Sequence, residues 1–341
     1  MLPFESIKRE VLTRKTEETN DSWGFYPEKR PIPELIRNGI INLDKPSGPT
    51  SHQVSAWVKE VFNVSKAGHG GTLDPAVTGV LPVAVENATK IIGTLLYAGK
   101  EYVALMHLHG DVHEGKVRDA LKEYVGEITQ LPPVRSHVKR VERTREIYYI
   151  TFLEKEGRDV LFKVGCQAGT YIRRLCEQVG KVMGIGAHMI ELRRTKAGGF
   201  YENERLVTLQ DLSDAYAYYT EEGNEKFLRY CVQPVENALR HIPKVWIFDS
   251  TIESLCQGAK LAVPGISKVE TEIKNGSIVA VLSLKDEIVG LGTAVMKSEG
   301  MIEAKEGVAV KMNRIVMKSG TYPKMWKTKE ASLSSKFPVN S

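Results

Sequence analysis

The sequence predicts an α+β protein of two domains, a larger one that mixes helices and strands and a smaller one made of short strands. Three observations carry this. Apolar residues recur at helical spacing over Val54, Trp57, Val58, Val61 and Phe62, and again over Ile172, Leu175, Cys176, Val179 and Val182. Tyr148, Ile150 and Phe152 alternate before Gly157, and Val160, Phe162 and Val164 alternate after it, the pattern of a hairpin. Beyond Pro243 the helical period fades and short strands recur between turn signals. A chain of 341 residues also exceeds one average domain of roughly 100–200 residues.

Taken in order, residues 1–35 are polar, Pro-bearing and without period, an arm that stays loose or packs on another domain. Gly39-Ile40-Ile41-Asn42-Leu43 reads as a strand running into the rigid turn Asp44-Lys45-Pro46-Ser47-Gly48-Pro49. Thr50 or Ser51 caps the helix that follows. A glycine-rich loop at 66–75 then leads to a second amphipathic helix carrying Ala88, Ile91, Ile92, Leu95 and Leu96. A strand is expected at 101–109, a helix around Val117, Leu121, Tyr124 and Val125, the hairpin at 147–165, a helix at 171–183 and a strand at 189–194. One short helical segment near 252–256 precedes strands at 277–284, 287–296 and 307–317. The boundaries are an arm at 1–35, a main domain at 36–243, a β domain at 244–323 and a polar, flexible tail at 324–341.

Composition excludes several classes. No run approaches about 18 apolar residues and the N-terminus lacks an apolar core, so a soluble, intracellular protein without membrane association is expected. Four cysteines, Cys166, Cys176, Cys231 and Cys256, show no CxxC pair and no histidine spacing for a metal. Cys176 falls on an apolar stripe, as a buried reduced thiol would. The net charge of +5 is mild, but its distribution is uneven. Arg135, Lys139, Arg140, Arg143 and Arg145 cluster, and Arg173, Arg174, Arg193, Arg194 and Lys196 follow. Such density suits a phosphate backbone, and equally a solvated charged face.

The segment Gly68-His69-Gly70-Gly71-Thr72-Leu73-Asp74-Pro75 holds the clearest chemistry. Three glycines permit left-handed backbone or close approach to a ligand. An Asp before Pro is held out of the helical region and projects from a rigid turn. These are also ordinary turn residues, so composition alone leaves a simple turn standing.

Residues 66–90 (KAGHGGTLDPAVTGVLPVAVENATK) resemble the active-site motif of the TruB-type pseudouridine synthases. Leu43-Asp44-Lys45-Pro46-Ser47-Gly48-Pro49-Thr50-Ser51 resembles that family's N-terminal element, and Lys100-Glu101-Tyr102 its tyrosine motif. Gly169-Thr170-Tyr171-Ile172-Arg173 resembles its arginine motif and Glu191-Leu192-Arg193-Arg194-Thr195 its late strand. Five matches in family order span about residues 39–200. The stretch from Ala98 to Asp111, and that from Pro234 to Gly265, look like the dyskerin-type catalytic subunit of H/ACA ribonucleoproteins in its archaeal form. The region around Gly258, Lys260, Pro264 and Gly265 resembles a PUA domain, a β-barrel-like RNA-binding module.

The resemblance implies a mixed, largely antiparallel sheet flanked by helices and a reaction without redox or energy-carrying cofactor. It implies Asp74 as nucleophile, Arg173 as its ion-pair partner, and Tyr102 for base stacking or proton transfer. His69, Gly70, Gly71, Thr72, Leu73, Tyr171, Leu192 and Lys45 would line or support the pocket, Lys45 either contacting a phosphate or buttressing the loop. The dyskerin-like branch implies a guide RNA, a substrate RNA, a small zinc-ribbon protein, a β-barrel protein that aids turnover and a kink-turn-binding protein. The location it implies is cytoplasmic if archaeal-like and nucleolar if eukaryotic. The competing readings are a standalone tRNA T-loop enzyme and a non-catalytic RNA scaffold.

Overall fold

The computed structural model describes residues 1–132 and 141–325, which fall into two units. One contains Met1–Lys8 and Arg30–His241, the other Arg9–Lys29 and the chain from Ile242 onward. Of the first 35 residues, Arg9–Lys29 belong to the unit formed by the later chain and the others to the first unit.

The first unit is built on a ten-stranded sheet. Its path runs Val232–Pro234, Gly39–Lys45, Thr78–Val85, Ala187–Ala197, Lys100–Leu108, Asp159–Cys166, Arg143–Glu156 and Gly126–Gln130. Ala67–His69 and Phe200–Tyr201 pair off this path. The neighbours are antiparallel except Thr78–Val85 against Ala187–Ala197, which run parallel, so the sheet is mixed and largely antiparallel, as expected. Helix Ser51–Val61 buries Val54 and Val58 in a cluster with Leu81, Val83, Val85 and Leu212. Helices Glu114–Lys122 and Ile172–Val182 bury Val117, Leu121, Leu175, Cys176 and Val179 against Ala104, Met106, Phe162 and Val164. Two clusters of this size supply the hydrophobic stabilisation that positions the loops.

Three expectations in this unit change. The glycine-rich loop does not join two helices: it runs from the short strand Ala67–His69 to the central strand Thr78–Val85. That strand is a continuous apolar run, readable as strand or buried helix, and a Pro such as Pro82 is rare in a strand interior. Pro82 is tolerated because its carbonyl, on the same side as its missing N–H, faces Gly70 (2.8 Å) and not the Gly39–Lys45 partner. The second amphipathic helix is a 3-10 turn, Glu86–Ile91, continued by a helix at Ile92–Tyr97, and Leu96 is exposed. Two helices that show no clear signal, Leu209–Glu222 and Lys226–Cys231, complete the unit.

The second unit is a seven-stranded sheet in the order Val11–Thr13, Ile266–Glu270, Lys244–Ile247, Ile278–Leu282, Ile288–Ala294, Val308–Ile315, Leu261–Ala262. The three expected strands are present, with helix Asp249–Cys256 before them. Val11–Thr13 joins the sheet antiparallel to Ile266–Glu270. Buried Lys285 donates to the carbonyls of Asn20 (2.9 Å) and Trp23 (2.7 Å), tying down the same N-terminal stretch. Most of the tail, 326–341, lies outside the described residues. Among the described residues no helix is long and apolar enough to cross a membrane. The four cysteines are free, and Cys176 is buried.

Candidate active site

Asp74 stands at the top of a loop whose flanks are sunk in the core. Leu73 and Val77 belong to the apolar cluster under the Arg173 helix, while the Asp74 side chain is 59% exposed. Ser51, in the first turn of its helix, accepts the Leu73 N–H (2.8 Å) and donates to the Leu73 carbonyl (3.0 Å). The cap of that helix is Thr50, in a reciprocal box with Gln53, which frees Ser51 for the loop.

Three buried cations lie beneath the loop, and two of them, Lys45 and Arg194, bond to it. The Lys45 ammonium donates to the carbonyls of Pro46 (2.8 Å), Pro75 (2.9 Å) and Val77 (2.9 Å), so all its protons are used and none faces a phosphate. Of the two roles considered for Lys45, the geometry is that of a buttress. Burial lowers its pKa, and the Asp74 charge works the other way. Arg194 donates to the carbonyls of Val80 (2.7 Å) and Gly71 (2.9 Å). Lys100 donates to Leu95 (2.8 Å), Leu96 (2.9 Å) and Ala98 (2.7 Å), closing the helix Ile92–Tyr97. Burial, with Arg194 beside it, pulls Lys100 down to about 7.

The glycines follow from these neighbours. Gly71 sits at φ +134°, and a Cβ there would lie 3.4 Å from Arg194 and 3.5 Å from Lys100. At Gly70 a Cβ would meet Leu95 at 2.9 Å. His69 is held on both nitrogens, by the hydroxyls of Ser55 (3.2 Å) and Thr72 (3.1 Å), with the His52 ring edge-on at 4.8 Å. Burial, then the His52 and Arg194 charges, push His69 down to about 4, so it is neutral at pH 7.

Arg173 reaches this loop from the opposite side. It is the second residue of helix Ile172–Val182, off the stripe Ile172, Leu175, Cys176 and Val179 that faces the core. Its guanidinium Nη2 lies 2.5 Å from the Asp74 Oδ2. Tyr102, near the start of strand Lys100–Leu108, pairs in register with Arg194 and Val164 and packs on the core. Burial raises its hydroxyl pKa, and the adjacent Arg194 opposes that shift. Leu192 is buried, opposite Ala104, and Tyr171 leads the Arg173 helix.

The basic clusters divide. Arg193 grips Asp44 with two bonds of 3.0 Å and also reaches Glu202, Arg194 is buried, and Lys196 pairs with Glu5 at 3.0 Å. Arg193, Arg194 and Lys196 of this second cluster are thus bonded to groups of the protein itself. Arg143 and Arg145 lie on strand Arg143–Glu156, and Arg145 passes close to Gly169. Arg135, Lys139 and Arg140 lie outside the described residues. Gly258 and Lys260 are exposed after helix Asp249–Cys256, and Pro264 and Gly265 form a turn in the second unit. Sequence reasoning missed Ser51 as a support of the loop and Lys100 as the closure of helix Ile92–Tyr97, and counted Arg194 as surface charge. The one signal for Arg194 was its place two residues beyond Leu192, on the same face of a strand.

Comparison with known proteins matches four family descriptions along the chain. These are a DKCLD (NUC011) domain over residues 3–55, a TruB family pseudouridylate synthase N-terminal domain over 59–115, a tRNA pseudouridylate synthase B C-terminal domain over 173–240 and a PUA domain over 243–316. A Pyrococcus furiosus protein named probable tRNA pseudouridine synthase B is 57% identical over 97% of this chain and 98% of its own. A Methanopyrus kandleri protein of the same name is 56% identical over 95% and 96%. Among solved structures, a chain of a Cbf5-Nop10-Gar1 complex is 57% identical with a TM-score of 0.91, covering 95% of this chain and 99% of that one. A chain of an H/ACA RNP bound to a substrate RNA containing 2'-deoxyuridine is 54% identical with a TM-score of 0.90, covering 96% and 100%.

Proposed function

This chain belongs to the TruB family of pseudouridine synthases, and we propose that it is the catalytic subunit of a guide-RNA-directed H/ACA particle that converts uridine to pseudouridine in rRNA. The observation that carries this is its similarity, over nearly the whole of both chains, to the protein of a substrate-bound H/ACA particle. Its partners would be the guide and substrate RNAs, a small zinc-ribbon protein, a β-barrel protein that aids turnover and a kink-turn-binding protein, all in the cytoplasm. The names of the sequence relatives favour a second reading, direct action on tRNA.

The reaction breaks the N1–C1′ bond, turns the uracil, and rejoins it to C1′ through C5; the C5 proton leaves and N1 gains one. In this reading the Asp74 carboxylate attacks the sugar or assists departure of the base, and Arg173 keeps it aimed. Tyr102 stacks on the uracil, with Tyr171 and Leu192 as pocket wall. His69, neutral and hydrogen-bonded, takes the space a flipped nucleotide vacates. Arg143 and Arg145, with Arg135, Lys139 and Arg140, track the RNA backbone, and the turns at Gly258, Lys260, Pro264 and Gly265 hold the single-stranded end of the guide.

Mapping pseudouridines in RNA incubated with the protein alone and with guide RNA and partner proteins tests the assignment. Product only at guide-paired uridines supports it; full product on tRNA with the protein alone supports the second reading. Lys260→Glu is expected to weaken guide affinity without changing the rate on bound substrate. Tyr102→Phe is expected to retain most activity if the ring stacks, and Tyr102→Leu to lose it; equal loss in both would assign the role to the hydroxyl.

A further inference from the structure

We propose that Gln130 is a positioning residue for Arg173, setting where the Arg173 guanidinium meets Asp74. This rests on reading the Asp74–Arg173 pair as the catalytic centre. Helix Ile172–Val182 has no side-chain cap of its own at Tyr171. Its N-terminal end is held by a side chain from another element, the last residue of strand Gly126–Gln130. The Gln130 amide is buried and grips Tyr171 on both backbone groups, its Oε1 accepting the Tyr171 N–H (2.9 Å) and its Nε2 donating to the Tyr171 carbonyl (3.1 Å). Nε2 also lies 3.2 Å from the Gln178 Oε1, seven residues along the helix. Gln178 returns a bond to the Thr129 carbonyl (3.1 Å).

The strand end therefore holds the helix at two points about two turns apart. Two points fix both the rise of the helix and its rotation about its axis. Each residue of slip would move a side chain by about 1.5 Å along the axis and about 100° around it. Arg173 lies two residues past the gripped Tyr171 and is exposed, so its own packing does little to hold it. The apolar stripe Ile172, Leu175, Cys176 and Val179 faces the core, and its attraction is non-directional. An amide bonded to both groups of one residue is not, because its donor and acceptor are directional and both used.

The test is single-turnover pseudouridine formation on the RNA that the full-length parent turns over, with substrate affinity measured separately. A misplacement of about 1 Å costs about 100-fold. Gln130→Ala is expected to lower the rate constant about 10–100-fold while RNA affinity stays within about 2-fold. Gln130→Glu keeps the acceptor for the Tyr171 N–H and loses both donated bonds, so it is expected to fall between parent and Gln130→Ala. Gln178→Ala, which leaves the Tyr171 grip intact, is expected to cost about 2–5-fold and keeps the idea testable if Gln130→Ala does not fold. In an Arg173→Lys background Gln130→Ala is expected to add little, since residues acting through one contact are not additive. A parental rate in Gln130→Ala, a loss matched by weakened RNA binding, or full additivity with Arg173→Lys would each overturn the proposal. So would a parental rate in Gln178→Ala if Gln130→Ala does not fold. Asp74→Ala run alongside separates the two levels: activity in it removes the catalytic reading and this inference together, whereas an inactive Asp74→Ala with an unimpaired Gln130→Ala removes the inference alone.

Discussion

The rim and the floor of the Asp74 loop use the same residue types to opposite ends. At the rim, Arg173 and Asp74 form an exposed ion pair reached by solvent. At the floor, Lys45, Lys100 and Arg194 are buried and donate to backbone carbonyls, and Arg194 also meets the Tyr102 hydroxyl. A buried cation bonded to carbonyls holds a loop in one shape, because losing it strands the oxygens it served. An exposed pair contributes only about 0–1 kcal/mol to stability. Rate should therefore depend on the rim and folding on the floor.

The largest effect is expected at the rim. Asp74→Asn should lower single-turnover pseudouridine formation by more than about 1000-fold under the proposed nucleophilic role, with an unchanged urea midpoint. A shifted midpoint would blur the division. Next, Arg194→Met leaves the Gly71 and Val80 carbonyls without their donor, and should cost about 2–5 kcal/mol in urea unfolding. Stability equal to the parent's would mean the floor is not what holds the loop. Arg173→Lys should lose about 10–100-fold in rate, since an ammonium cannot reproduce the guanidinium's fork, and almost nothing in stability.

The smallest effect concerns pH. His69 is pushed down to about 4 in the folded state from an ordinary 6.5, so the unfolded chain binds more protons between those values. The stability it contributes is fully present above about 6.5 and is lost as pH falls through about 4. His69→Ala should flatten this limb of the stability–pH curve, by a small amount because the ring is partly exposed. An unchanged acid limb would exclude His69 as its source.

Much of this was legible in residue order. Helices at 54–62 and 172–182, the hairpin about Gly157 and the late strands all follow from periodicity, which survives whatever the chain packs against. Asp74, Arg173 and Tyr102 were legible as motif positions and meet around one loop. The strand Thr78–Val85 was not, because a fully buried run has no alternation and Pro82 disguised it. Nor were Ser51, Lys100 and Gln130, whose partners are backbone groups rather than side chains with a recognisable type; those of Ser51 and Gln130 lie 22 and 41 residues away in sequence.

Residue order by itself determined the fold class, the period of the main elements, and the loop with its carboxylate before proline. Only the tertiary structure decided which basic residues are ligands of the protein itself. Arg173 and Arg194 look alike in a sequence, since both are charges in a basic stretch. One is placed by a helix at a solvent-facing carboxylate and the other by a strand beneath a glycine loop, and that difference exists only once the sheet has closed around them.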